Sequence, residues 1–177
     1  MEVRKAMKIY LSASQQPHNI YADKVFNEEE VMHKLIELEK PLLEKLGHEV
    51  KCSNISKTMY DNVSEANAWK ADIYIAHHSN ACTGKNDGTL GLYYPSEKSK
   101  LLTKCIYEEV AKVTPSSDEG MREGKKLYEL RKTSMPATLV EMFYHDNVAD
   151  MKFGLLNLDK IAGAVVRGID KYCKSVR

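Results

Sequence analysis

Residues 71–78, ADIYIAHH, form the stretch that decides the fold. The run is apolar almost without interruption until it reaches two histidines, which is typical of a strand buried on both faces of a parallel sheet. Apolar residues at helical spacing lie on either side of it, between residues 31 and 46 and between residues 102 and 113. Because strands and helices alternate, we predict an α/β protein of one domain, with a central, mainly parallel, twisted sheet flanked by helices on both faces.

The other elements follow from the same periodicities. We expect strands at residues 6–12, 48–54, 90–94, 128–131 and 137–143, and helices at 27–46, 64–70, 96–113 and around 158–169. The first long helix begins at Asn27, whose side chain can cap it, and ends at Gly47. The polar segment 114–124 is predicted to be a loop.

Length, charge and cysteine content restrict the classes of protein that remain. With 177 residues, 43% of them hydrophobic, the chain can bury one core, and we expect a single domain over residues 1–177. The 26 basic and 25 acidic side chains nearly balance, so no overall field favours nucleic acid or an anionic membrane as a partner. The four cysteines form no C-x-x-C pair, which argues against a thiolate zinc site. The apolar run 7–11 is too short for a membrane span or signal peptide, so we expect synthesis in the cytoplasm.

Side chains able to bind a metal or move a proton fall at predicted strand ends and in the first turn of the first helix. In chain order they are His18, Glu28, Glu29, Glu30, His77, His78 and Glu141. Two imidazoles and a carboxylate around one zinc ion, with water in the fourth position, form a recurrent hydrolytic site. Spacing alone leaves its members open, because the helix dipole also favours acidic residues in a first turn.

Two segments carry a family resemblance. Residues 72–81, DIYIAHHSNA, resemble the strand and H-x-N-A segment of the zinc-dependent N-acetylmuramoyl-L-alanine amidases of type 3, found in cell-wall remodelling enzymes and phage endolysins. Residues 127–147, LYELRKTSMPATLVEMFYHDN, are similar to the family's longer signature, in which a Met-Pro step and a strand ending in Val-Glu lead to an aromatic residue and an Asn. In place of the family's D-P-G-H-G-G turn, residues 12–19 read SASQQPHN.

The resemblance implies a site for one Zn²⁺ ion and a catalytic carboxylate. The zinc ligands it implies are His18, Glu29 and His78. Glu141 takes the place of the catalytic glutamate, which would accept the proton of the zinc-bound water and pass it to the leaving nitrogen of L-alanine.

Neighbouring residues compete for two of these roles. His77 precedes His78, and consecutive strand residues point to opposite faces, so only one of them can face the site. The H-x-N-A match selects His78. Glu28 and Glu30 lie one position to either side of Glu29 and stay open as ligands.

Substrate and setting are also implied by the resemblance. The expected partner is bacterial peptidoglycan, cleaved between N-acetylmuramic acid and L-alanine, with Asn80 and Arg122 as candidate substrate contacts. We expect no separate cell-wall-binding domain, and action on the wall after release, as a phage or prophage endolysin or a bacterial lytic enzyme. The alternative is an inactive peptidoglycan-binding module with the amidase fold. A serine hydrolase is disfavoured because no G-x-S-x-G motif is present.

Overall fold

The computed structural model describes residues 6–115 and 118–176. Its strands are β1 Lys8–Ala13, β2 Glu49–Cys52, β3 Ile73–Asn80, β4 Leu90–Tyr93, β5 Gly120–Glu123 and β6 Ala137–Tyr144. Its helices are α1 Glu28–Lys45, α2 Met59–Trp69, α3 Glu97–Ala111, α4 Tyr128–Lys132, α5 Val148–Leu156 and α6 Leu158–Ser175.

The strands form one sheet in the order β2-β1-β3-β6-β4-β5. Strands β2, β1, β3 and β6, the first four in this order, run parallel to one another, β4 pairs antiparallel with β6, and β5 pairs parallel with β4. The first four strands therefore end at the same edge of the sheet, where the side chains that follow β1, β3 and β6 can meet.

Helices cover both faces of the sheet. On one face, Ile73 and Ile75 of β3 join the larger hydrophobic cluster, which includes residues of α1, α3, α5 and α6. On the other, Tyr74 and Ala76 join a smaller cluster with residues of α2 and Leu130 of α4. The alternation follows from the two-residue period of a strand, and it confirms the predicted α/β class with helices on both faces.

Helices α3 and α6 pack closely at Gly168. A Cβ atom placed on Gly168 would lie 2.5 Å from the Cα of Ile106 and 2.7 Å from the carbonyl oxygen of Cys105. The absence of a side chain at Gly168 is therefore what allows the two backbones to approach.

The secondary structure differs from the sequence predictions at four places. The segment 114–124 contains β5, a short edge strand whose exposed or half-buried residues give no apolar alternation. Residues 128–131 form helix α4 rather than a strand, because five residues are too few for the two periods to be told apart. Helix α5 was not foreseen, and α2 begins at Met59, ahead of the predicted residue 64.

Candidate active site

The candidate site lies in the carboxyl-terminal halves of β3 and β6. His78 of β3 and Glu141 of β6 are partners in the parallel register. Paired residues on neighbouring strands point to the same face, so the two side chains lie next to each other. The structure thus brings together two of the residues singled out from the sequence, 63 positions apart along the chain.

The imidazole of His78 lies between two carboxylates. Its Nδ1 is 2.9 Å from Oε1 of Glu28, and its Nε2 is 3.2 Å from Oε2 of Glu129. The ring is 12% exposed, whereas the two carboxylates are almost completely buried. Burial lowers the pKa of His78, but the hydrogen bonds with Glu129 and Glu28 outweigh it and raise this pKa well above its usual range.

Glu28 reaches the site because of how α1 begins. The Asn27 side chain caps the helix by accepting from the N–H of Glu30, and the N–H of Glu28 donates to the carbonyl of Asn19. The Asn19 amide also donates to Oε2 of Glu28 at 2.6 Å. Successive helical residues are rotated by about 100°, so only one of the three first-turn glutamates can face the strand ends.

Glu29, the ligand implied by the family resemblance, faces elsewhere. It lines an open surface groove of about 370 Å³, together with Gln15, Ile55 and Tyr60. Glu28, left open from the sequence, is the first-turn glutamate that contacts His78.

Glu141 combines burial with an unused acceptor. Its Oε2 atom is buried and has no hydrogen-bond partner among the residues that the structure describes. The pKa of Glu141 is raised to about 7, mainly by burial and further by the nearby charges of Glu28 and Glu129, while His78 opposes the shift. A carboxyl group with a pKa near neutrality can both accept and donate a proton under physiological conditions.

The loop after β1 presents amides to the site. The Gln16 side-chain nitrogen is 3.4 Å from Nδ1 of His78, and its oxygen accepts from the Asn19 amide. His18 lies exposed in the same loop. Within residues 6–115 and 118–176, no three His, Cys, Asp or Glu side chains are arranged to hold a metal ion, so the predicted set of His18, Glu29 and His78 does not meet in this structure.

Two of the side chains that meet in the site are suitable zinc ligands. The imidazole nitrogen of His78 and the carboxylate of Glu28 are ligand types that Zn²⁺ binds, and their 2.9 Å separation lets both reach one ion. At a third position the loop offers Gln16, whose amide is a weaker donor than an imidazole or a carboxylate.

Glu129 is a site residue that the sequence did not reveal. It is 4% exposed and lies on α4, within the segment expected to be a strand. Its only sequence signal is a glutamate among the apolar positions of LYEL. Because this segment was predicted to be a strand, the face on which Glu129 lies could not be predicted.

The two candidate substrate contacts lie at different distances from the site. Asn80 is half-buried at the end of β3, two residues beyond His78. Arg122 is exposed on β5 and pairs with Glu119 at 2.6 Å. Two strands separate β5 from β3, so Arg122 lies three strand spacings, about 14 Å, from the strand of His78.

Comparison with solved structures places the fold among cell-wall amidase catalytic domains. The catalytic domain of CwlV, an N-acetylmuramoyl-L-alanine amidase from Bacillus (Paenibacillus) polymyxa var. colistinus, superposes with a TM-score of 0.86 at 20% identity, over 95% of this chain and 98% of that one. The catalytic domain of the CD27L endolysin, which targets Clostridium difficile, gives a TM-score of 0.79 at 26% identity, over 93% and 97% of the two chains. These neighbours show that the chain has the fold of these amidase and endolysin catalytic domains.

The sequence comparisons identify the family. The family model described as N-acetylmuramoyl-L-alanine amidase matches residues 15–171, so this chain belongs to that family of enzymes, as the sequence predicted. A probable cell wall amidase, LytH of Staphylococcus epidermidis, is 28% identical over 138 residues, covering 77% of this chain and 46% of the relative. The chain spans only 31% and 34% of the length of two uncharacterized Clostridium perfringens relatives. No helix in the described part of the chain is long and apolar enough to cross a membrane.

Proposed function

We propose that this chain is a catalytic domain that hydrolyses, with zinc, the amide bond between N-acetylmuramic acid and L-alanine in bacterial peptidoglycan. The observation that carries the proposal is the group formed by Glu28, His78 and Glu141 at the carboxyl ends of the strands. Family membership supplies the bond and the substrate. Cleavage of this bond would place its action at the cell wall.

The zinc site proposed here uses Nδ1 of His78 and a carboxylate oxygen of Glu28. When bound, the ion would polarise the scissile carbonyl and lower the pKa of a water molecule. Gln16 lies within reach of Nδ1 and would complete the protein side of the site with its amide oxygen, once the amide is turned over. The roles of His18 and Glu29 as ligands stay predictions.

Glu141 carries the proton transfers in this mechanism. Its unpartnered Oε2 accepts the proton of the attacking water, and the same atom then delivers the proton to the departing L-alanine nitrogen. A pKa of about 7 suits both steps, because neither protonation state is strongly disfavoured. Asn80 lies on the same strand as His78, two residues on, and is proposed to contact the substrate; Arg122 stays a prediction at the far edge of the sheet.

The test is digestion of purified peptidoglycan with and without a zinc chelator, followed by mass spectrometry of the soluble fragments. The proposal expects stem peptides that begin with L-alanine, and expects the chelator to abolish their release. Cleavage that the chelator leaves unchanged would overturn the metal dependence, and fragments cut at another bond would overturn the substrate.

One observation favours a second candidate, the inactive peptidoglycan-binding module. Where the proposed zinc site needs a third strong ligand, the loop after β1 offers the amide of Gln16. Sedimentation of the protein with insoluble peptidoglycan, with neither cleavage nor stoichiometric zinc, would select this candidate over the hydrolase.

A further inference from the structure

The two consecutive histidines of β3 are held in different ways on the two faces of the sheet. His77 is fully buried: Nε2 lies 2.9 Å from Oε2 of Glu39 on α1, and Nδ1 lies 3.1 Å from the carbonyl oxygen of Ser12. Both nitrogens of His77 are thus occupied by protein atoms in the interior. His78, on the other face, has one nitrogen toward Glu129 and the other toward Glu28.

Hydrogen bonds fix the position of the Glu129 carboxylate and leave one of its oxygens facing His78. Its Oε1 accepts from the Tyr74 hydroxyl at 2.6 Å and from the Ser12 hydroxyl at 3.0 Å, and its Oε2 faces Nε2 of His78. An ionised carboxylate only accepts hydrogen bonds, so the ring nitrogen that faces it carries the proton. Nδ1 faces the Glu28 carboxylate and carries a proton in the metal-free protein for the same reason. A metal ion that replaces this proton would take the lone pair of Nδ1, on the side of Glu28, while the proton on Nε2 stays with Glu129.

A buried charge at this position is costly unless it is paired or has a function. Glu129 adjoins the smaller hydrophobic cluster, next to Leu130, where an apolar side chain would need no compensation. Metal-binding histidines commonly donate their second ring N–H to a carboxylate, which fixes the ring and raises its basicity. The contacts of Glu129 match this arrangement.

We propose that Glu129 is a positioning residue, which holds the His78 ring with its proton on Nε2 so that Nδ1 is presented for metal binding beside Glu28. The inference rests on the proposed function, because it is zinc that Nδ1 binds there. It adds a residue to the site that acts on the metal only through His78.

The test compares Glu129→Gln with Glu39→Gln, a matched change at the other buried imidazole–carboxylate pair of the same strand. The glutamine amide would turn its oxygen to Tyr74 and Ser12 and its NH₂ toward Nε2, so Nε2 loses its proton and the ring keeps only the proton on Nδ1. We expect zinc affinity, measured by competition with a chelating dye, to fall about 10- to 100-fold in Glu129→Gln. In Glu39→Gln we expect an unchanged affinity per folded molecule and a lower melting temperature.

A second readout does not depend on metal. In metal-free protein labelled with ¹⁵N-histidine, NMR should show a slowly exchanging Nε2–H of His78 in the wild type and in Glu39→Gln, and its loss in Glu129→Gln. The proposal would be overturned if the zinc affinity of Glu129→Gln were within twofold of the wild-type affinity. It would also be overturned if His78 of the wild type carried no proton on Nε2. A wild type that binds no zinc but shows the Nε2 proton would overturn the zinc part of the proposed function, while the placement of the ring by Glu129 would stand.

Should Glu129→Gln fail to fold, Tyr74→Phe provides the milder version of the same change. It removes one of the two donors to Oε1 of Glu129 and keeps the ring that stacks on Tyr10. We expect a smaller fall in zinc affinity in the same direction; an unchanged affinity and an unchanged Nε2–H resonance would count against the role of Glu129.

Discussion

Oε1 of Glu28 lies 2.9 Å from Nδ1 of His78, although 50 positions separate the two residues in the sequence. Glu29, which immediately follows Glu28, faces the neighbouring groove. We therefore expect Glu28→Gln to lose bound zinc and Glu29→Gln to keep it, since only the first change removes a carboxylate next to the imidazole. Metal analysis of the two purified proteins measures the difference. If Glu29→Gln lost zinc and Glu28→Gln kept it, Glu29 would be the ligand, as the family resemblance implies.

Glu141→Gln separates proton transfer from metal binding. The amide keeps the shape of the side chain but cannot accept the water's proton, so we expect turnover of peptidoglycan to fall about 10²- to 10⁴-fold while zinc content stays unchanged. Initial rates of L-alanine-terminated peptide release give the first quantity and metal analysis the second. Near-wild-type turnover would remove the general base role from Glu141.

Gln16→His tests whether the loop after β1 limits metal affinity. An imidazole at this position would supply a stronger ligand beside Nδ1 of His78, so we expect tighter zinc binding in a competition titration. His18→Ala is the matched change at an exposed residue of the same loop, and the structure predicts no effect on zinc affinity. Zinc loss in His18→Ala would mean that the loop rearranges to bring His18 to the metal.

Glu109 should make the stability of the fold sensitive to acid. Its buried carboxylate accepts from Lys112 at 2.6 Å, from Lys171, and from Arg167 at 3.1 Å, which lowers the pKa of Glu109 to about 2. A lowered folded-state pKa stabilises the fold above the usual glutamate pKa, and this contribution disappears as the pH falls from 4.5 toward 2. Because the cationic partners are largely exposed, we expect Glu109→Gln to cost only about 1 kcal/mol at neutral pH.

Urea unfolding at a series of pH values measures that contribution. The difference in unfolding free energy between wild type and Glu109→Gln should shrink as the pH falls below 4.5. Glu108→Gln, at the adjacent exposed position, is the control and should follow the wild-type curve. A difference between wild type and Glu109→Gln that is constant with pH would contradict the ionic origin.

Gly168→Ala should loosen the contact of α6 with α3. The added methyl would meet backbone atoms of Cys105 and Ile106, which cannot move aside as a flexible side chain can. We expect a loss of about 1–3 kcal/mol, seen as a lower melting temperature. On the same helix, the Cβ of Gly163→Ala meets only the end of the Arg167 side chain, and that variant should be as stable as the wild type or slightly more so. Equal melting temperatures for all three proteins would contradict the close approach.

Long, periodic elements of this protein could be predicted from the sequence. The apolar stripe of α1, which follows the Asn27 cap, and the buried runs of β3 and β6 lie in elements of eight residues or more, and the α/β class follows from their alternation. Strand β5 and helix α4 carry no such signal, because both are short and depend on tertiary contacts.

The membership of the site was harder to predict than its location. His78 and Glu141 each follow an apolar run within their strands, β3 and β6, so their position was encoded locally. The choice between Glu28 and Glu29 depends on a rotation of about 100° set by the hydrogen bonds between Asn19 and the start of α1, which join residues of a loop with no regular pattern. Glu129 could not be placed without knowing that its segment is helical.

The two adjacent histidines of β3 make the correct register of this strand depend on side-chain packing. Since a glutamate lies opposite an imidazole nitrogen on each face, a strand inserted one residue out of step would still pair one of the two histidines with the glutamate of the other face, and would leave one carboxylate without an imidazole. Hydrogen bonding therefore penalises the shifted alignment at only one of the two pairs. Packing adds to this discrimination, because Ile73 and Ile75 lie on one face and Tyr74 on the other, and an out-of-step strand would exchange them. The fidelity with which the reaction centre assembles thus depends on side chains at the opposite end of the strand.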